Sequence, residues 1–206
     1  MPWDFTITDG PYGNVTEGPA WDGSGLLFTY IEGNQILRFD PETGGSAVVW
    51  SDTNNANGLM LDASGTLFAC EGGARRVVRY ESDGSTTVLA DGFDGQKLNI
   101  PNDLAIDPEG RVWFTDPFYE GAAGPWSLDR SNKELDHDSV YRLDPGADGT
   151  FPEGTIHYMV EERLADMAKK ARAANKDPDD WDDDGDSDAE NDNSEDSPAE
   201  TRHTYY

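Results

Sequence analysis

A repeat of 40 to 45 residues constrains the fold of this sequence more than any other feature. Segments 17–28, 57–68 and 102–113 each read as a polar residue, a short apolar strand, an Asp at a turn, a Gly and a second apolar strand. The turn glycines are Gly25, Gly65 and Gly110. A period of this length, with room for four strands per unit, is typical of β-propeller blades.

Further strands follow in each unit. Residues 35–39 and 46–50 flank a turn in the first unit, residues 76–80 and 86–90 do so in the second, and residues 139–143 begin the same pattern in the third. No segment with helical periodicity precedes residue 158. The sequence therefore predicts an all-β fold, an incomplete propeller of about three blades.

Glu17, Asn57 and Asn102 occupy the same position in their repeats. The innermost strand of each blade lines the central channel, so equivalent positions converge on the axis. Oxygen-bearing side chains at one level of a channel can bind a hard cation such as Ca²⁺, which takes roughly 6–8 oxygen ligands. The same residues also fit a structural role as caps of strand entries or turns, and the repeat alone leaves both alternatives open.

Several short motifs resemble one protein family. Segments 16–21, 55–59 and 98–103, the last ending in Pro101-Asn102-Asp103, are similar to the gluconolactonase family, which includes the senescence marker protein (regucalcin). Segments 68–76 and 113–119 resemble bacterial sugar lactonases in particular. The resemblance covers about residues 10 to 146. It implies a six-bladed propeller that hydrolyses sugar lactones with a divalent cation in its channel.

The resemblance also implies roles for individual residues. Glu17 and Asn102 are the expected metal ligands, and Ca²⁺ is the expected ion, with Zn²⁺, Mg²⁺ or Mn²⁺ as alternatives. Asp103 is expected to line the site, and Asn57 is placed at the channel by the repeat. Glu71 and Asp116 follow the second strand of their blades and are expected to line the channel entrance. Arg75, Arg76, His137 and Trp126 are weaker site candidates that also fit surface or turn roles.

The sequence departs from the family pattern after residue 146. The later Asn-Gly motif and the Asp that the family uses as general base are not found, so the catalytic residue is unknown. Residues 158–174 instead predict one amphipathic helix, and residues 177–200 form an acidic tail that we expect to be disordered. The predicted division is a partial propeller over 1–150 and a helix with an acidic tail over 151–206.

The net charge is −27, from 15 basic and 42 acidic residues. Segment 161–206 holds 16 acidic and 6 basic residues, so the first 160 residues carry the remaining −17. Nucleic-acid and anionic-membrane partners are therefore not expected, because their phosphates would be repelled. Cys70 is the only cysteine, and neither a signal peptide nor a membrane span is recognisable, so the expected location is the cytoplasm.

Three functional hypotheses remain open. The first is a calcium-dependent hydrolase of sugar lactones, with little or no activity as this chain alone. The second is a non-catalytic half-propeller, and the third is a cation-binding or interaction protein that uses its acidic tail. Three blades would leave open sheet edges, so self-association is also expected. A dimer of halves would present two copies of Glu17 and Asn102.

Overall fold

The computed structural model describes residues 7–118, 133–152 and 155–158. These residues all belong to the first of two units of the chain, Met1–Ala168, and the second unit, Lys169–Tyr206, lies wholly outside the described residues. The predicted helix beyond Tyr158 and the acidic tail also lie outside them. Among the described residues, no helix is long and apolar enough to cross a membrane.

Three four-stranded antiparallel sheets follow one another along the chain, and we call them blades 1, 2 and 3. Blade 1 contains β1 (Thr16–Trp21), β2 (Leu26–Tyr30), β3 (Gln35–Asp40) and β4 (Gly45–Ser51). Blade 2 contains β5 (Ala56–Leu61), β6 (Leu67–Glu71), β7 (Arg76–Tyr80) and β8 (Thr86–Ala90). A short hairpin of β9 (Gly92–Phe93) and β10 (Gln96–Lys97) leads to blade 3, which contains β11 (Leu104–Ile106), β12 (Val112–Asp116), β13 (Ser139–Leu143) and β14 (Ile156–Tyr158).

This architecture confirms the predicted all-β, three-bladed fold. The predicted domain boundary at residue 150 stays a prediction, and β14 pairs with β13 beyond it. Each first hairpin closes on a turn aspartate, because its side chain accepts backbone N–H groups across the turn. Asp22 accepts from Gly25, Asp62 from Thr66 and Asp107 from Arg111. These bonds explain why Asp recurs at this point of every repeat.

Apolar residues alternate along the strands and form two cores, one at each junction between blades. The junction of blades 1 and 2 buries Ala20, Leu27, Ile36, Ala56, Leu59, Leu67, Ala69, Val78 and Tyr80. The junction of blades 2 and 3 buries Phe68, Cys70, Val77, Leu98, Leu104, Val112, Phe114, Leu135, Tyr141 and Leu143. Each blade is therefore held by the face that it presents to the adjacent blade.

The first turn of blade 1 is one residue shorter than its counterparts. Trp21 pairs with Leu26, whereas Leu61 pairs with Leu67 and Ile106 with Val112. The equivalence of Glu17, Asn57 and Asn102 precedes the turn and is unaffected. After the turn the numbering shifts by one, so that Tyr30 of blade 1 corresponds to Glu71 of blade 2 and Asp116 of blade 3.

Candidate metal centre

The innermost strands of the three blades approach one another near the candidate ligands. The Gly58 N–H donates to the Asn102 carbonyl oxygen over 2.7 Å. Gly18, at a φ of +57°, approaches blade 2 so closely that a Cβ there would lie 2.3 Å from the Asn57 carbonyl oxygen. The backbone at Glu17, Asn57 and Asn102 is therefore brought together at one end of neighbouring strands.

Irregular pairing marks this end of the inner strands. The register of β1 against β2 shifts between Glu17 and Ala20, and that of β5 against β6 shifts between Ala56 and Leu59. Bulges of this kind change the direction in which side chains point, and they are common beside functional sites. The Thr29 hydroxyl donates to the Asn57 carbonyl oxygen and ties the irregular segments of blades 1 and 2 together.

The side-chain oxygens of the candidate ligands are unoccupied within the part of the chain that the structure describes. Within the described residues, the side chains of Glu17, Asn57 and Asn102 take part in no hydrogen bond or ion pair. Glu17 is exposed and also borders a groove on the open side of blade 1, while both amides are half-buried. One carboxylate and two amides are the donor types that Ca²⁺ prefers, so the set fits a hard cation.

No group of three or more His, Cys, Asp and Glu side chains in the described part of the chain is arranged to hold a metal. Glu17, Asn57 and Asn102 form a different kind of group, because only one of the three is a carboxylate and the other two are amides. Asp103 is exposed beside it, and its Oδ1 accepts the Leu104 N–H at 2.8 Å. Asp103 thus lies at the rim of the set with one oxygen already engaged.

Glu71 is the last residue of β6, the second strand of blade 2, and is 1% exposed. Its carboxylate accepts hydrogen bonds from Asn54 Nδ2 (3.0 Å), Arg76 Nε (2.6 Å) and the Tyr80 hydroxyl (2.9 Å). Burial and the neighbouring Glu71 charge raise the pKa of Tyr80, so its hydroxyl remains a donor. These bonds fix the connection from blade 1 to blade 2 against the second strand of blade 2.

Asp116 occupies the equivalent place in blade 3 and is fully buried. Its Oδ2 accepts the Asn99 N–H at 2.8 Å, and Asn99 Nδ2 donates to the Asp116 and His137 carbonyl oxygens at 3.2 and 2.8 Å. Burial raises the pKa of Asp116 to about 6. Oδ1 of Asp116 and Oδ1 of Asn99 have no hydrogen-bond partner within the described residues.

Glu71 and Asp116 were expected to line the channel entrance, and the structure instead places both inside the packed blades. Each holds an asparagine from the preceding connection, Asn54 or Asn99, and we call these two pairs the latches. The sequence reasoning missed both asparagines. A signal was present, because each lies three residues before the channel asparagine of its repeat.

The weaker candidates also have structural partners. Arg75 Nε donates to the Leu98 carbonyl oxygen at 2.5 Å, and Arg76 is the Glu71 partner. His137 contacts Asp136 Oδ1 through Nδ1 at 2.7 Å and the Tyr141 hydroxyl through Nε2 at 2.9 Å. Burial raises the pKa of Tyr141. Trp126 lies outside the described residues.

Comparison with known proteins supports the resemblance seen in the motifs. A curated gluconolactonase from Zymomonas mobilis subsp. mobilis is 29% identical over 146 residues, which are 63% of this chain and 40% of that protein. The solved structure of a gluconolactonase from Xanthomonas campestris is 34% identical with a TM-score of 0.60, over 69% of this chain and 46% of that one. A putative gluconolactonase structure gives 34% identity, a TM-score of 0.58 and coverages of 69% and 47%.

The chain thus spans less than half the length of these relatives. Residues 15–159 match the family model described as the SMP-30/Gluconolactonase/LRE-like region. The chain belongs to the SMP-30/gluconolactonase/LRE-like family.

Proposed function

We propose that this chain is the metal-binding portion of a sugar-lactone hydrolase, with Glu17 and Asn102 as its cation ligands. One observation carries the proposal. Three oxygen-bearing side chains without partners among the described residues stand at equivalent positions, at or just before the start of adjacent inner strands. Because no described residue occupies these oxygens, they are available to coordinate a hard cation.

Each residue of the set would have a separate role in binding. Glu17 supplies the negative charge that attracts a divalent cation, Asn102 supplies a neutral oxygen, and Asn57 offers an amide to the ion or to a sugar hydroxyl. Ca²⁺ suits these donors best, with Zn²⁺, Mg²⁺ and Mn²⁺ as alternatives. When bound, such an ion polarises the lactone carbonyl and orients the substrate. Asp103, at the rim, would meet the sugar.

The same proposal includes little or no lactone hydrolysis by this chain alone. Two or three protein oxygens are fewer than the roughly 6–8 that Ca²⁺ takes. A general base must also reach the attacking water. Among the described residues, the buried carboxylates nearest the channel are Glu71 and Asp116, and both are committed to the latches. The longer relatives have further chain from which ligands and a base can come.

The proposal also places the chain in a reducing compartment, the cytoplasm. Cys70, the only cysteine, is buried in the core between blades 2 and 3. Burial raises its pKa well above the usual value, and the charges of Asp103 and Asp116 add to the effect. The thiol is therefore kept protonated and unreactive.

Isothermal titration calorimetry with CaCl₂ tests the metal proposal. Glu17→Gln keeps the shape of the side chain and removes its charge, so we expect at least about tenfold weaker binding at the channel site, equal to about 1.4 kcal/mol. Glu42→Gln is the matched control, because Glu42 is exposed in a turn of blade 1. Equal affinities for wild type and Glu17→Gln would contradict the assignment.

Hydrolysis of glucono-δ-lactone, followed by acid release in a pH-stat, tests the activity proposal separately. We expect rates at the uncatalysed level with or without Ca²⁺. Robust turnover by the purified chain would contradict the activity proposal.

A further inference from the structure

A cavity of about 580 Å³ lies beside the short hairpin that leads into blade 3, and we call it the hairpin pocket. Its lining comes from three places in the chain. Phe93, Asp94 and Gln96 belong to the hairpin of β9 and β10, residues 134–137 belong to the connection between β12 and β13, and Tyr158 ends β14. Three separate segments therefore meet around one cavity.

Three aromatic rings line this pocket and hold one another in place. The centroid of the His137 ring lies 4.4 Å from that of Tyr158 and 6.4 Å from that of Phe93, and the centroids of Phe93 and Tyr158 are 5.8 Å apart. The planes of Phe93 and His137 are nearly perpendicular, at 81°. His137 is also fixed through both ring nitrogens, by Asp136 and by the Tyr141 hydroxyl. Each of the three rings is only partly buried, so the pocket has aromatic walls that a ligand can reach.

Asp94 brings a carboxylate without a described partner to this pocket. Phe93 pairs with Gln96, so Asp94 and Gly95 form the two-residue turn of the hairpin. Their φ angles of +51° and +75° are the left-handed values of a tight type I′ turn, for which Asp-Gly is a preferred pair. Within the described residues, the Asp94 side chain is exposed and takes part in no hydrogen bond or ion pair. Its negative charge is therefore available to a ligand.

Two more carboxylates line the pocket. Glu134 Oε2 accepts the Lys97 N–H at 2.9 Å, and Glu134 Oε1 lies 3.5 Å from Arg75 Nη1. The Asp136 side chain is 96% exposed and contacts His137 Nδ1. No Lys or Arg side chain is among the described residues that line the pocket. The wall therefore combines three aromatic rings with three carboxylates, and its charge is negative.

We propose that the hairpin pocket binds a small organic cation of the alkylammonium class. The face of an aromatic ring attracts a cation that lies within about 6 Å of the ring centroid, and the alkyl groups of such a cation also match an apolar wall. The three carboxylates add an attraction that depends on the charge of the ligand. A hard inorganic ion such as Ca²⁺ fits the pocket less well, because its ligands are oxygens. A neutral sugar gains nothing from the negative charge, and it is the alternative occupant that the experiment must separate.

The charge of the surrounding chain favours the same kind of ligand. The first 160 residues carry −17, and a surface of this sign attracts cations from solution. The pocket contains none of Glu17, Asn57 and Asn102 among its lining residues. This inference therefore does not depend on the hydrolase proposal, and either can fail without the other.

Isothermal titration calorimetry of the full chain with choline chloride, at an ionic strength held constant with NaCl, tests the proposal. Choline carries a quaternary ammonium group, and 3,3-dimethyl-1-butanol has the same shape without the charge. We expect saturable binding of choline at one site and at least about tenfold weaker binding of the neutral alcohol. An excess of glucose should leave the choline affinity unchanged.

Two variants assign the binding to this pocket. Asp94→Asn removes one charge at constant size, and Tyr158→Leu removes one ring, so each should weaken choline binding at least about threefold. Asp52→Asn is the matched control, because Asp52 is exposed, has a φ of +57° and lies outside the pocket, in the connection from blade 1 to blade 2. Circular dichroism and thermal melts show whether each variant is folded, and Asp94→Asn, on an exposed turn, keeps the test valid if Tyr158→Leu unfolds.

Four results would each overturn the proposal. They are the absence of saturable choline binding, equal affinities for choline and the neutral alcohol, displacement of choline by glucose, and equal losses of choline affinity in Asp94→Asn and Asp52→Asn.

Discussion

The channel end of the blades and the two latches use similar side chains in opposite ways. At the channel, Glu17 and Asn102 have no side-chain partners within the described residues. In the latches, Glu71 receives three hydrogen bonds and Asp116 holds Asn99. The presence of an acid and an asparagine therefore does not by itself define a metal site. Hydrogen-bond partners distinguish a side chain that is available as a ligand from one that has a structural role.

The two latches also differ from each other. Both Glu71 oxygens are bonded, and Arg76 balances the charge, whereas Asp116 keeps one oxygen without a described partner. A buried carboxylate without a cationic partner is penalised for being charged. This is why the pKa of Asp116 is raised to about 6. The latch of blade 2 should thus contribute stability, and that of blade 3 should make stability depend on pH.

The largest expected effect is on the latch of blade 2. Glu71→Ala removes the acceptor shared by Asn54, Arg76 and Tyr80, so we expect a loss of about 3–5 kcal/mol in the free energy of unfolding. Urea denaturation measures it. Glu42→Ala, on an exposed turn, is the control and should change stability by less than about 0.5 kcal/mol. A loss below about 1 kcal/mol would show that the latch is dispensable.

The next effect is the pH dependence that Asp116 imposes. Its pKa rises from 3.8 to about 6 on folding, so between these values the folded state binds more protons than the unfolded state. The stabilisation from this group is therefore full below about pH 4 and is lost as pH rises through 6. Two pKa units correspond to at most about 3 kcal/mol.

Asp116→Asn should abolish that part of the slope. Urea denaturation at pH 4.5, 5.5 and 7 measures it, and the exposed Asp94→Asn is the control. An unchanged slope in Asp116→Asn would mean that Asp116 stays ionised in the folded chain throughout this range.

At the channel the expected stability effect is small and the effect on metal binding is larger. Asn102→Ala should change the metal-free unfolding free energy by less than about 0.5 kcal/mol, because its amide has no described partner. It should also remove most of the thermal stabilisation that Ca²⁺ gives by binding the folded state. Melting curves with and without CaCl₂ separate the two effects. A large loss of unfolding free energy without metal would indicate that Asn102 has a structural role, like the latch residues.

The smallest expected effect is at Asn57, which the repeat predicts to line the channel and which has no assigned ligand role. Asn57→Ala should weaken Ca²⁺ binding about threefold or less, since its link to Thr29 uses the backbone carbonyl and survives the substitution. Calorimetry beside Asn102→Ala measures the difference. Equal losses of Ca²⁺ affinity in Asn57→Ala and Asn102→Ala would indicate that Asn57 is a metal ligand as well.

The sequence predicted the fold well because the repeat and its turn aspartates are local signals. Alternating apolar residues fixed the strands, and the equivalence of Glu17, Asn57 and Asn102 was visible from spacing. The family was visible from motifs such as Pro101-Asn102-Asp103. Each of these features depends on residues close together in the chain.

The latches could not be predicted in the same way. Whether Glu71 faces solvent or the core depends on contacts with Asn54 and Tyr80, which lie on other strands and connections. The shorter turn of blade 1 also shifts its numbering by one, so Tyr30 rather than Ile31 matches Glu71. Spacing from the turn glycines hides that shift, and strand pairing reveals it.

The central claim is that one cation is shared by Glu17 and Asn102 at the axis of the blades. A crystal structure of the chain grown with CaCl₂, with an anomalous difference map, tests it most directly. We expect an anomalous peak within roughly 2.3–2.6 Å of a Glu17 carboxylate oxygen and of Asn102 Oδ1. Well-ordered Glu17 and Asn102 side chains with no peak between them, at saturating Ca²⁺, would contradict the account.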